Sequence, residues 1–239
     1  MSIVVNTEAS TLLFITAAHI FARVVSLLAV HAGVRVGHQP DTKLLLPSLQ
    51  SFKPTFLLAV PRVFEKVYNS AEQKAEAGGR GSIFRLATAT AIAYSKALDE
   101  GHVPLALRAR FAVLDRLVLS KLRAAMGGRV QYAVSGSAPL GLRLGHYYRA
   151  LGMKILEGYG LTETTAPVTI NVPQNFKIGS VGPVLPGISV RIAELARALR
   201  ALSARPVVVN ASGGRVMAAE ITSVNGDDPA RSEERRVGK

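Results

Sequence analysis

Two neighbouring stretches decide how this chain folds: Val130-Gln131-Tyr132-Ala133-Val134-Ser135-Gly136-Ser137-Ala138-Pro139-Leu140-Gly141, and Met153-Lys154-Ile155-Leu156-Glu157-Gly158-Tyr159-Gly160-Leu161-Thr162-Glu163-Thr164-Thr165. Residues 130–135 are apolar and partly β-branched, which suits a buried strand, and they end in turn formers. Residues 142–151 read as a helix. Residues 153–156 read as a second buried strand that closes on a polar, glycine-bearing turn. Strand, polar turn, helix and strand make a βαβ unit, and therefore a parallel sheet in an α/β fold. Parallel strands are expected near 56–60, 132–135 and 154–156, inside a mixed α/β region over 37–192. Ligands of such sheets bind at the carboxyl ends of the strands, where both polar turns fall.

The residues of these turns suit a nucleotide. Gly158 and Gly160 let the backbone approach a ligand closely. Thr162, Thr164 and Thr165 offer hydroxyls to phosphate, Glu163 offers the hard oxygen that magnesium prefers, and Tyr159 offers a flat face to a purine. A plainer reading stands beside this one, in which Thr162 or Thr164 caps a helix and the glycines form a tight turn.

Outward from this unit, composition narrows the classes. The 239 residues are 49% apolar, with a net charge of +13, no cysteine and no tryptophan. Such a chain buries enough surface to fold, and it excludes disulfide scaffolds, thiolate nucleophiles and cysteine-based zinc sites. Few aromatics argue against a base-stacking platform, so no nucleic acid partner is expected. Between Arg80 and Arg129 nine Lys/Arg face three acids. This basic region reads either as a solvated face or as a seat for an anionic surface. Within it, Leu107, Phe111, Leu114, Val118, Leu122 and Ala125 recur at helical spacing after the Gly101–Pro104 turn, and Gly78–Gly81 marks a break. Residues 12–36 are hydrophobic enough to span a bilayer, but His19, Arg23 and His31 interrupt them, so a buried or half-buried helix is expected. Met1–Ser10 lacks the basic start of a signal peptide.

Other motifs fail. Gly136 and Gly141 have phosphate-loop spacing, but Leu142-Arg143 stands where Lys and Ser/Thr are required. No histidine has a metal-binding partner at i+4, and Ser135 or Ser137 with His146 and Asp115 makes no convincing triad.

Five segments in order resemble the adenylate-forming enzymes, in particular the long-chain fatty acyl-CoA synthetases. Glu157–Thr164 resembles their central motif and Ser135–Leu140 their adenine-side loop. Ala18-His19-Ile20-Phe21 resembles the histidine motif of the acyl site, and residues 54–66 resemble the strand-to-helix stretch of the long-chain branch. Ile178–Pro183, with Leu185–Gly187, resembles the segment after the central motif. The resemblance implies ATP, Mg2+ and coenzyme A, with a fatty acid carboxylate attacking the α-phosphate and the thiol of coenzyme A then displacing AMP. Carried onto this sequence, it places Thr162 at phosphate, Glu163 at the metal and His19 at the acyl site, as the catalytic set. Gly136, Ser137, Ala138, Glu157, Gly158, Tyr159, Gly160 and Thr162 are the nucleotide-binding set.

The resemblance runs over roughly 11–194, the expected part of an adenylate-forming N-terminal domain with mixed sheets flanked by helices. A Gly/Ser/Thr-rich phosphate loop is absent ahead of His19, and the family's adenylating lysine is absent downstream. Residues 195–239 are therefore expected to be a divergent, poorly packed tail, and the chain to be an inactive fragment of a cytoplasmic ligase that touches membrane through 80–129. A dead nucleotide- or acyl-binding remnant and a basic membrane- or nucleic-acid-surface protein are the alternatives.

Overall fold

The computed structural model describes residues 6–194, 207–212 and 215–223. They fall into two units, Met1–Pro183 and Val184–Lys239.

In the first unit, β1 (Ser10–Leu13), β2 (Arg35–His38), β3 (Phe56–Leu58), β4 (Tyr132–Ser135), β5 (Lys154–Leu161) and β6 (Ala166–Ile170) form one sheet in the order β2-β1-β3-β4-β5-β6. The first five strands pair in parallel and β6 runs antiparallel to β5. The three parallel strands expected from sequence are thus adjacent, with Phe56 opposite Tyr132 and Tyr132 opposite Lys154. Order reverses at β1, so helices cover both faces. Helix α1 (Ile20–Ala32) lies on one face, where Val25 and Ala29 pack with Leu13, Phe56 and Leu58. The other face carries α2 (Leu45–Phe52), α3 (Pro61–Ala77), α4 (Gly81–Asp99), α5 (Leu105–Leu114), α6 (Ser120–Ala125) and α7 (Leu142–Ala150).

That second face holds the main core. Tyr147 and Tyr148 of α7 are fully buried among Phe64, Tyr68 and Phe84, in edge-on and tilted ring contacts. The Tyr148 hydroxyl donates to the Phe64 carbonyl at 2.7 Å, so burying the ring leaves no polar atom unpaired. Pro61 opens α3 at the first helical position, where a missing N–H costs nothing. Gly78 closes α3 and Gly101 lies in the turn after α4, as the sequence indicates.

Two expectations are corrected. Residues 12–36 are not one helix. They run strand, loop, helix and strand, and Leu27 and Val30 on α1 are exposed. Among the described residues no helix is long and apolar enough to cross a membrane. The apolar face over 107–125 is not a plain α-helix either, because Asp115–Leu119 forms a π turn between α5 and α6. Its five-residue step takes the core position from Leu114 to Leu119, which is fully buried, whereas Val118 is only half-buried. Asp115 and Arg123 pair bidentately across the turn, at 2.5 and 2.8 Å.

In the second unit, β7 (Ile188–Glu194), β8 (Val207–Ser212) and β9 (Arg215–Ser223) form an antiparallel sheet in the order β7-β9-β8. The expected tail, 195–239, therefore contains two paired strands, and its remainder lies outside the described residues.

Candidate nucleotide site

A crevice of about 260 Å³ opens at the carboxyl ends of the parallel strands. Three segments line it: His19–Phe21 at the start of α1, Val134–Ser137 at the end of β4, and Gly158–Glu163 with Pro167 and Ile170 from β5 and β6. Of the residues singled out in the sequence, it gathers His19, Gly136, Ser137, Gly158, Tyr159, Gly160, Thr162 and Glu163. Ala138 and Glu157 do not line it.

The loop after β4 leaves its strand sharply. Ser137 is held at φ +71°, a left-handed conformation uncommon for a residue with a side chain and concentrated at functional loops. Glu157 makes a structural bond within the protein. It is buried, and its carboxylate accepts the Leu140 N–H at 2.9 Å, clamping this loop to β5. A buried backbone donor thereby gains a partner.

Gly158-Tyr159-Gly160-Leu161 is not a turn, as read from sequence, but the second half of β5. Beyond Glu157 the strand leaves β4 and pairs with β6, with a register shift between Tyr159 and Gly160. The turn is Thr162–Thr165. Thr164 closes it, its hydroxyl accepting from the Leu161 N–H and donating to the Leu161 carbonyl, both at 3.0 Å. Strand β6 follows in place of a helix, so the helix-capping reading of Thr162 or Thr164 is set aside. Glu163 stands exposed at the hairpin tip, where it meets no desolvation cost.

His19 is the N-cap of α1. Its Nδ1 accepts the Phe21 N–H at 3.2 Å, so a neutral ring carries its proton on Nε2. The amino end of α1, with its partial positive charge, borders the crevice and suits an anion there. The Tyr159 hydroxyl is buried without a hydrogen-bond partner among the described residues, and burial raises its pKa above the ordinary tyrosine range.

Sequence reading missed Asn171. This buried side chain accepts the Lys177 N–H at 3.1 Å and donates to the Ser180 carbonyl, while its backbone N–H donates to the Glu157 carbonyl at 2.9 Å. It ties the 172–182 loop behind the hairpin. A lone asparagine between Ile170 and Val172 has no sequence signal that marks such a hub.

His146 is packed away from the crevice, its Nδ1 3.1 Å from Ser95 Oγ and 3.8 Å from Asp99. Both partners approach the same ring nitrogen, so no nucleophile–base–acid relay exists there. Among the described residues no group of three or more His, Cys, Asp or Glu could hold a metal ion on its own.

An open parallel sheet with glycine-lined strand ends facing a helix start defines a nucleotide-binding class, and the comparisons give it a family. The family model described as AMP-binding enzyme matches residues 2–200, and the chain belongs to that family. It is 55% identical over 183 residues to the long-chain-fatty-acid–CoA ligase FadD15 of Mycobacterium bovis, covering 77% of this chain and 30% of that protein. It is also 34% identical over 184 residues to long chain acyl-CoA synthetase 4 of Arabidopsis thaliana, covering 75% and 27%. The chain thus spans less than a third of the length of these relatives. Among solved structures, a long-chain-fatty-acid-CoA ligase of Archaeoglobus fulgidus matches with a TM-score of 0.53 at 14% identity, covering 80% of this chain and 31% of that one. ATP-bound MatB of Rhodopseudomonas palustris matches with a TM-score of 0.51 at 22% identity, covering 79% and 28%. At these identities the two structures establish the fold.

Proposed function

We propose that this region belongs to a long-chain fatty acid–CoA ligase and forms the nucleotide side of its adenylation site. The observation that carries the reading is the convergence of His19, Gly136, Ser137, Gly158, Tyr159, Thr162 and Glu163 on one crevice from three separate segments. In this reading the Gly136–Ser137 loop and the Gly158–Tyr159 backbone flank adenine, with Ala138 supporting the loop. The start of α1 and Thr162 face phosphate, and His19 borders the acyl carboxylate.

The residues fit magnesium as a nucleotide-borne ion. One exposed carboxylate beside threonine hydroxyls is what Mg2+ uses when phosphate and water supply its other ligands. Bound there, the metal would neutralise triphosphate charge, and Glu163 would orient it. Coenzyme A is the second substrate. The chain works on the cytoplasmic side, touching membrane through its basic region 80–129.

Calorimetric titration of the purified chain with Mg-ATP, and separately with palmitoyl sulfamoyl-adenosine, tests this. Both should bind, and Gly136→Val, which places a branched side chain in the crevice, should weaken both. Glu163→Gln should weaken Mg-ATP more than the sulfamoyl compound, which carries no triphosphate. Absence of binding to the parent chain, or equal affinities in Gly136→Val, would overturn the reading.

A further inference from the structure

A second cavity is larger than the crevice. It is a cleft of about 580 Å³ among α2, α3, α4, the π turn and α6, in the helical layer on the face of the sheet away from α1. That volume is within the range of about 300–1,000 Å³ typical of small-molecule pockets. Its wall is carbon, from Val67, Ala71, Phe84, Val118 and Leu122. At its edge Ile83 and Leu117 are 46% and 56% exposed, which extends the apolar wall to the surface. Lys74, Arg80 and Lys121 also line it, and no acid does. The neighbouring carboxylates are engaged elsewhere, Glu76 with Arg85 at 2.9 Å and Asp115 with Arg123 at 2.5 Å. Among the described residues none of the three cations has an ion-pair partner.

We propose that this cleft docks the chain on an anionic phospholipid bilayer. One acyl chain enters the carbon-walled slot, the headgroup phosphate meets Lys74, Arg80 and Lys121, and Ile83 and Leu117 sit in the interface. Charge complementarity selects the sign of the partner, and the apolar slot inside the cationic rim selects an amphiphile. A nucleic acid would use the cations but leave the carbon wall and the two exposed apolar side chains uncovered. The proposal deepens the peripheral-membrane part of the function proposed above and is independent of its nucleotide part.

Sedimentation of the full chain with vesicles tests it, using phosphatidylglycerol–phosphatidylcholine mixtures against phosphatidylcholine alone. The chain should pellet with the anionic vesicles only. Each cation near an anionic surface contributes a factor of about five, so K74Q/R80Q/K121Q should lower partitioning about a hundredfold. K96Q/R108Q/R110Q removes the same charge from exposed sites that do not line the cleft, and should stay within about tenfold of the parent. Because the chain has no tryptophan, L117W supplies a single reporter. Its emission should shift to the blue and be quenched by acyl-brominated phospholipid, whereas L27W, on exposed α1, should not respond. All these substitutions are at exposed positions, and matching melting curves will confirm intact folds. Equal losses in the two triple variants, or quenching of L27W in place of L117W, would overturn the cleft while leaving peripheral contact standing. Failure of the parent chain to bind anionic vesicles would overturn both.

Discussion

Glu157 separates a structural clamp from a nucleotide contact, and its replacement has a calculable cost. Its carboxylate holds the Leu140 N–H at 2.9 Å, and Leu140 is itself buried. Glu157→Ala would leave that donor unpaired out of water, at about 1–3 kcal/mol. In a chain of this size each kcal/mol lowers Tm by about 2–4 °C, so the variant should melt roughly 2–12 °C below the parent. Glu157→Gln keeps an oxygen acceptor of the same reach and should melt within about 3 °C of it, a cost under about 1 kcal/mol. Circular dichroism melts at pH 7.5, followed by titration with Mg-ATP, separate the outcomes. If Glu157→Ala melted with the parent, the clamp would be wrong. If Glu157→Gln kept its stability yet lost Mg-ATP binding, the side chain would be a direct nucleotide contact, as the resemblance to the adenylate-forming enzymes implies.

Gly182 sits at φ +80°, where a Cβ would lie 2.2 Å from the Asn171 nitrogen and the Ile170 carbonyl carbon. Gly182→Ala should therefore cost about 2–5 kcal/mol through overlap and left-handed strain, read as a lower Tm and faster hydrogen exchange over 172–182. Parental exchange in the variant would refute this. Burial of His146 lowers its pKa, with Lys96 and Arg149 acting in the same direction and Asp99 opposing. The unfolded chain then takes up the proton first, so stability is full above about pH 6.5 and falls as pH drops through that value toward the lower folded one. Tm should fall more between pH 7.5 and 5.5 in the parent than in His146→Gln, and equal slopes would count against it.

What the sequence made legible was local and periodic. Strands β3, β4 and β5 announce themselves as short apolar runs bounded by turn formers, and α7 lies between two of them, so the parallel unit follows from the βαβ rule. The misreadings arose where tertiary pairing overrides local chemistry. Residues 12–36 are apolar over most of their length, with exposed Leu27 and Val30 on α1 beside the buried residues of β1, and periodicity cannot divide such a run. The π turn at Asp115–Leu119 keeps a near-helical spacing while moving the buried position by one residue. Residues 215–223 became a strand by pairing with β7 on one side and with residues 207–212 on the other, partners that no local pattern announces. In the candidate site, motif residues with small or hydroxyl side chains were visible. The hub at Asn171 and the clamp at Glu157 were not, because each is defined by a backbone partner brought from elsewhere in the chain.

The same limit explains why Gly158-Tyr159-Gly160 reads as a turn in sequence and is a strand in the structure, and the difference has a functional consequence. Ser135 is the last residue of β4 and faces Glu157 of β5. β5 then runs four residues further, with only β6 beside it. That overhang is a wall standing past the sheet edge, so Gly158 to Leu161 border the crevice from the side while the loop after β4 borders it from below. Close pairing makes the wall possible, since a Cβ on Gly158 would lie 3.1 Å from the Thr169 carbonyl oxygen. The ribbon ends in a hairpin closed by the Thr164 hydroxyl, which fixes the backbone on either side of Glu163 without using its carboxylate. A carboxylate held at the tip of a two-stranded ribbon, over a crevice that a helix start makes attractive to anions, is left available for the metal role proposed above. A helical first turn would have used the same carboxylate for its own macrodipole. The ribbon therefore accounts for an exposed Glu163 that is positioned by its neighbours and chemically uncommitted.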